Sequence, residues 1–310
     1  MKLKHYLTTL VGAIVLVWTF TASSRAQKYS DWSAPINLGP TVNSTSMDRG
    51  PAISKDGLSL YFASNRPDGS FGGEDIYVSQ RETRDGQWGP PENLGSIINT
   101  TDNEMVPALS RDGHLLFFAS NRPGGFGGVD IWVSRREHTH DDFAWQPPEN
   151  LGAGVNSLSL DEGPSYFEND DAGVPQLYFS SGMNRPGGAG IYVSEQAPDG
   201  SFGPAVLVVE LGGGGVTSRP SIRHDGLEIF FTSNRPGSIA NSQDLWVATR
   251  ETVFDAWSEP VNLGSPVNSE LVDVQPYISS DGETLFFASN RLTGGPTDLY
   301  MSTRTKLSEK

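Results

Sequence analysis

The chain of 310 residues contains no cysteine, so no disulfide can staple it and its stability has to come from burial and strand pairing. It is short of positive charge: 22 Lys and Arg stand against 37 Asp and Glu, for a formal net charge of −15. That balance disfavours nucleic acid and anionic lipid as partners and helps keep a secreted chain soluble. No phosphate loop, nucleophile elbow or zinc-helix motif is present, and no cofactor is expected. Histidine is scarce. His138 and His140 alternate as in a strand, but Asp141 and Asp142 follow them in a charged segment that reads as a solvated loop rather than a metal site. What the sequence has in quantity is glycine (35) and proline (21), spread among short aromatic-rich apolar runs, which suits an all-β chain with many turns.

Residues 1–26 differ from the rest. Lys2 and Lys4 precede an apolar run from Leu7 to Phe20, and Ala22-Ser-Ser-Arg-Ala26 follows it. A basic start, an apolar centre too short and too threonine-rich for a span, and small residues before a cut predict a secretory signal peptide. The mature chain is then expected to be secreted or periplasmic, with no stable membrane span. Loss of Lys2, Lys4 and Arg25 takes the charge from −15 to −18. Residues 27–310 are expected to form a single domain.

That domain is a repeat. Leu115–Val133 reads as an apolar run, Ser-Asn-Arg-Pro, a glycine-rich loop, Asp and a second apolar run. Close copies lie at Leu60–Val78, Leu177–Val193, Ile229–Val247 and Leu285–Met301. Each is preceded by a strand with a proline (Pro51, Pro107, Pro164, Pro220, Pro276), spaced 56, 57, 56 and 56 residues apart. Asp-Gly pairs at 56–57, 112–113, 225–226 and 281–282 sit between two apolar runs and predict tight hairpins, because glycine accepts the positive φ of such turns. The second run of each unit is apolar throughout rather than alternating, as in a strand covered on both faces. A final segment carries an aromatic residue and then Asn-Leu-Gly, as in Trp88…Asn93-Leu94. Its prolines, Pro90 and Pro91, suit an outer edge.

Four-stranded antiparallel units of this length match propeller blades. The chain starts in the outer segment (Trp32–Leu38) and ends in the third (Leu299–Ser302), so both ends are expected to share the last blade and close a five-bladed ring. The pattern Pro-x-x-Ser-x-Asp-Gly…Phe-x-Ser-Asn-Arg-Pro-Gly-Gly-x-x-Asp-Ile-Tyr-Val resembles the WD-like propeller repeat typified by the TolB propeller, over residues 31–304. The resemblance implies a secreted or periplasmic propeller, often an interaction module, and fixes no activity. TolB-like propellers carry more blades and a further N-terminal domain, so the TolB partner does not carry over.

Function is expected on the face that bears the Asn-Arg-Pro loops. Arg66, Arg122, Arg185, Arg235 and Arg291 lie there, with Asp48, Glu104, Asp161 and Asp273 three residues before the strand prolines. These residues either bind a polar ligand through bidentate contacts or pair with one another as a repeated tie. Blade four replaces the acid by Thr217 after the run Gly212–Gly215, and is expected to be where an asymmetric ligand enters. Asp75, Asp130, Asp244 and Asp298 are expected to cap their own loops rather than hold a cation. The charged segments Arg81–Arg84, Arg135–Asp142 and Arg250–Asp255 are expected to be solvated. The reading is a monomer that binds an extracytoplasmic protein or glycan, leaning away from an enzyme. The alternative is a glycoside hydrolase or polysaccharide lyase: five-bladed arabinanases and invertases use funnel carboxylates, and Asp48, Glu104 and Asp161 occupy comparable positions.

Overall fold

The structure, a computed structural model, describes residues 29–168 and 173–307; the expected signal peptide lies outside the described residues. After β1 (Ile36–Asn37) the chain builds its blades in order. Blade 1 is β2 (Asp48–Ile53), β3 (Ser59–Ser64), β4 (Asp75–Gln80) and β5 (Glu92–Asn93). Blade 2 is β6 (Glu104–Leu109), β7 (Leu115–Ser120), β8 (Asp130–Arg135) and β9 (Glu149–Asn150). Blade 3 is β10 (Asp161–Phe167), β11 (Gln176–Ser181), β12 (Gly190–Glu195) and β13 (Val206–Leu207). Blade 4 is β14 (Thr217–Ile222), β15 (Glu228–Ser233), β16 (Asp244–Thr249) and β17 (Val261–Asn262). Blade 5 is β18 (Asp273–Ile278), β19 (Thr284–Ser289) and β20 (Asp298–Thr303), with β1 as its outer strand.

The ring closes as the termini predict. Ile36 lies opposite Met301 and Asn37 opposite Tyr300. Inner strand β18 packs beside β2, as every inner strand packs beside the next. The doubly apolar middle strands have a direct cause. Adjacent side chains of a strand point to opposite faces, and each face of a blade is buried against a different neighbour. Phe118 of β7 enters the cluster shared with blade 1, and Phe117 the cluster shared with blade 3. Tyr61 and Phe62, Phe230 and Phe231, and Phe286 and Phe287 divide in the same way, so each of the five interfaces has a core of its own. The Asp-Gly turns form with glycine φ of 72–79°.

The outer strands are shorter than the segments that predict them, at two residues each. Their aromatic residues are spent on packing instead. Arg81 stacks on Trp88, Arg136 on Trp145, Arg250 on Trp257 and Arg304 on Trp32, at 4.2–4.5 Å from the ring centres. Each of these arginines also donates through Nε to a turn carbonyl, of Gly57, Gly113, Gly226 and Gly282 respectively. This corrects the expectation that the charged segments are solvated throughout: one arginine in each of blades 1, 2, 4 and 5 is a bolt beneath the blade. In blade 2 the bolt is buried completely, with Asp142 accepting from Arg136 at 2.8 Å, Tyr61 at 2.5 Å and Gln80 at 2.8 Å.

Candidate functional site

The face carrying the b–c and d–a loops, here the upper face, holds two sets of polar side chains. The first recurs around the ring, with an arginine in every blade and its acid in four of them. Arg66 reaches Asp48 at 2.6 Å, Arg122 reaches Glu104 at 3.1 Å, Arg185 reaches Asp161 at 3.0 Å, and Arg291 reaches Asp273. The four acids are wholly buried. Their other oxygen atoms are taken by the loop before the strand. Ser44 donates to Asp48 through N and Oγ, at 2.6 and 2.9 Å, and Thr100, Ser157 and Ser269 repeat the arrangement. Each arginine also donates to a d–a carbonyl, such as that of Val42 for Arg66. The five guanidinium groups lie over two rings of their own blade, Phe62 and Tyr77 for Arg66. These groups are internal ties between loop and inner strand.

In blade 4, Arg235 meets Thr217 Oγ1 at 3.1 Å and the Leu211 carbonyl at 2.6 Å. The glycine run packs against it: β-carbons at Gly213 and Gly215 would press on Arg235 and Asn234. Burial lowers the Arg235 pKa. Asp75, Asp130 and Asp244 cap their own loops, whereas Asp298 accepts from the Asn37 side chain of β1. Asp75 accepts from Phe71 N and Asn93, and Asp244 from Ile239 N and Asn262.

The second set does not recur. The five inner strands share one irregularity: the residue before each proline adopts a positive φ beside a break in strand register. Glycine holds two of these positions, Gly50 and Gly163, while Val106, Arg219 and Gln275 hold the others at φ 47°, 54° and 56°. An L side chain there stores strain of roughly 1–3 kcal/mol, and such strain concentrates at functional sites. Around these kinks, at the upper end of the channel, every blade differs. The preceding residues are Arg49, Met105, Glu162, Ser218 and Val274, and the residues entering the third strands are Glu74, Val129, Ala189, Gln243 and Thr297.

Two carboxylates stand in this set. Arg49 grips Glu74 with a fork, Nε to Oε2 at 2.7 Å and Nη2 to Oε1 at 2.5 Å, and touches Met105 Sδ at 3.3 Å. Arg219 meets both oxygens of Glu162 through the single nitrogen Nη2, at 3.0 and 3.2 Å. The side chains of Arg49, Glu74, Arg219 and Glu162 are 20, 11, 18 and 11% exposed, whereas the acids of the repeated set are at zero. Beside them Gln275 accepts from Gly50 N at 2.8 Å. Gln275 Nε2, Arg219 Nε and Ser218 Oγ are buried polar atoms with no protein partner. Further along the same inner strand, Tyr277 packs against the cores of three interfaces, and burial pushes its hydroxyl up to about 12. This group of side chains, which differs from blade to blade at the upper ends of the inner strands, is called the bowl below.

The sequence carried a signal for this set. The five units carry strongly recurrent positions beside two that differ in every copy and a third, before the proline, that is glycine in two of them. The recurrent positions are the ties, and the bowl consists of the positions between them that change.

No described protein family matches the chain, and no curated protein sequence does. Solved structures do. An alpha-L-arabinofuranosidase from Lactobacillus brevis superposes with a TM-score of 0.60 at 15% identity, over 88% of this chain and 94% of its own. An endo-arabinase from Bacteroides thetaiotaomicron gives 0.57 at 19%, over 90% and 98%. An alpha-L-arabinofuranosidase from Podospora anserina, in complex with cellotriose, gives 0.55 at 10%, over 86% and 95%. At such identity the likeness establishes a shared five-bladed propeller fold. The three structures are two arabinofuranosidases and an endo-arabinase, a finding that corrects the lean away from an enzyme. The WD-like, TolB-type resemblance thus holds for the propeller architecture and not for the family, which none of the three represents.

Proposed function

We propose that this protein is a secreted or periplasmic glycoside hydrolase that cleaves a neutral oligosaccharide at the upper bowl. One observation carries the reading: two carboxylates that depart from the repeat, Glu74 and Glu162, lie at the upper ends of their strands, each steered by an arginine that departs from it too. The fold likeness to arabinan- and arabinoside-cleaving propellers supports the same substrate class. Glycosidic cleavage needs one carboxyl to protonate the leaving oxygen and another to act at the anomeric carbon or on its water. Glu74, fixed in orientation by the Arg49 fork, suits the second role. Glu162, held through one nitrogen, suits the first once a sugar draws Arg219 aside. Ser218, Arg219 and Gln275 supply donors for sugar hydroxyls.

The test is reducing-sugar release from arabino- and xylo-oligosaccharides. The wild type is expected to be active, and Glu74→Gln and Glu162→Gln each to lose about 10²–10⁴-fold in kcat, the usual contribution of an acid or base. Activity unchanged by both substitutions would overturn the assignment. Binding of oligosaccharide with no turnover would overturn the hydrolytic step.

A further inference from the structure

Blades 1 and 2 present the same exposed ring at the same place. Phe71 and Phe126 occupy matching positions in the two b–c loops and are 46 and 48% exposed. A single exposed phenylalanine needs no explanation; these two are held in place from below. Phe71 N donates to Asp75 Oδ2 at 2.6 Å. Phe126 N donates to Asp130 Oδ2, and Gly127 N to Asp130 Oδ1 at 3.1 Å. The following glycines clamp each loop to the next blade. A β-carbon on Gly72 would strike the carbonyls of Thr100 and Asp102, and one on Gly127 those of Ser157 and Ser159. Gly73 N donates to the Asp102 carbonyl at 2.9 Å. The chain has fixed these loops while leaving both rings in water.

The strip continues along blade 3, where Leu158 and Leu160 are 83 and 44% exposed on the connection that Gly127 packs against. It also adjoins the bowl, since Glu74 lies three residues beyond Phe71 in the same loop. Blades 4 and 5 present no such aromatic: Ile239 caps the corresponding loop in blade 4, and Thr293–Pro296 form it in blade 5. The rings thus serve one side of the ring only, the side of Arg49, Glu74 and Glu162.

We infer that Phe71 and Phe126 form a stacking platform for successive sugar rings of an uncharged oligosaccharide running outward from the bowl. The assignment rests on the glycan reading above. Aromatic faces bind the C–H faces of pyranose and furanose rings, and rigid rings give up little rotamer freedom when they do so. A platform spread over two blades selects a chain over a monosaccharide. The net charge of −15 selects against an anionic glycan.

The experiment is calorimetric titration of the full chain with arabinohexaose, xylohexaose and cellohexaose. At least one is expected to bind, Phe71→Ala and Phe126→Ala each weakening it about tenfold, with the Phe→Tyr variants restoring affinity. Alanine variants that bind like the wild type, or a wild type that binds none of the three, would overturn the platform. Turnover of single-sugar aryl glycosides by the wild type reports on hydrolysis separately. Ring-dependent binding without any cleavage sinks the hydrolase reading and keeps the platform. Aryl glycoside cleavage with ring-independent binding does the reverse.

Discussion

Asp161 is a residue whose every oxygen contact is internal: Arg185 and Ser181 on Oδ1, Ser157 N and Oγ on Oδ2. Removing one member of a buried pair strands the other, at a cost of about 3–5 kcal/mol. Asp161→Ala is expected to lower unfolding free energy by that amount in urea titration. The reverse change is available in blade 4. Thr217→Asp gives Arg235 the carboxylate that its counterparts have, and is expected to stabilise by about 1–3 kcal/mol, the worth of a charged hydrogen bond. Acid titration belongs to this scale as well. Burial lowers the His224 pKa below 6.5, with Arg111 and Arg223 adding to the effect and Asp225 opposing it. The unfolded chain therefore binds a proton before the folded one does, and stability falls as pH drops through 6.5. For Asp142, burial opposes the charge, but hydrogen bonds from Arg136, Tyr61 and Gln80 outweigh it and hold the pKa below 3.8. Its contribution is lost only below that value. Melting temperature is expected to decline in two steps on acidification, with His224→Gln flattening the first.

The kinked inner strand sets the geometry of the bowl. Gly163 sits at φ 64°, and a β-carbon there would lie 2.9 Å from Arg219 Cα in the next blade. Gly163→Ala is expected to cost about 2 kcal/mol, through a strained φ and a backbone clash that no side chain can relieve, and to displace Arg219 from Glu162. Differential scanning calorimetry checks the first effect. Much of the element-scale structure was legible in the sequence. Asp56-Gly57 announced its turn, and the unbroken apolar run of Leu115–Ala119 announced a strand covered on both sides. The kink was not legible, because Val106 is β-branched and nothing local favours a left-handed φ there; the crowding of five strands at one axis imposes it. The Arg81–Trp88 bolt was equally hidden, since an arginine in a charged segment looks solvated until the tryptophan folds beneath it.

At the scale of the molecule, the ring separates two tasks. What recurs closes and braces it: the Arg66–Asp48 tie and its copies above, the Arg–Trp bolts below, and β1 clasping β20. Tyr29, stacked on Arg304 at 3.7 Å, adds to the clasp. Ring closure could be read from the unequal ends of the sequence, because the missing strand at one end is the spare strand at the other. The candidate site could not be read in that way, since a search for recurrence finds braces, and the bowl consists of positions where recurrence fails. The most direct test of this division is a crossed measurement of melting temperature and kcat, on the most active oligosaccharide, for Asp48→Asn and Glu74→Gln. Asp48→Asn is expected to melt lower yet keep near-normal kcat in its folded fraction, while Glu74→Gln melts within a few degrees of wild type and loses at least about a hundredfold in kcat. Loss of kcat in Asp48→Asn with full activity in Glu74→Gln would contradict that division.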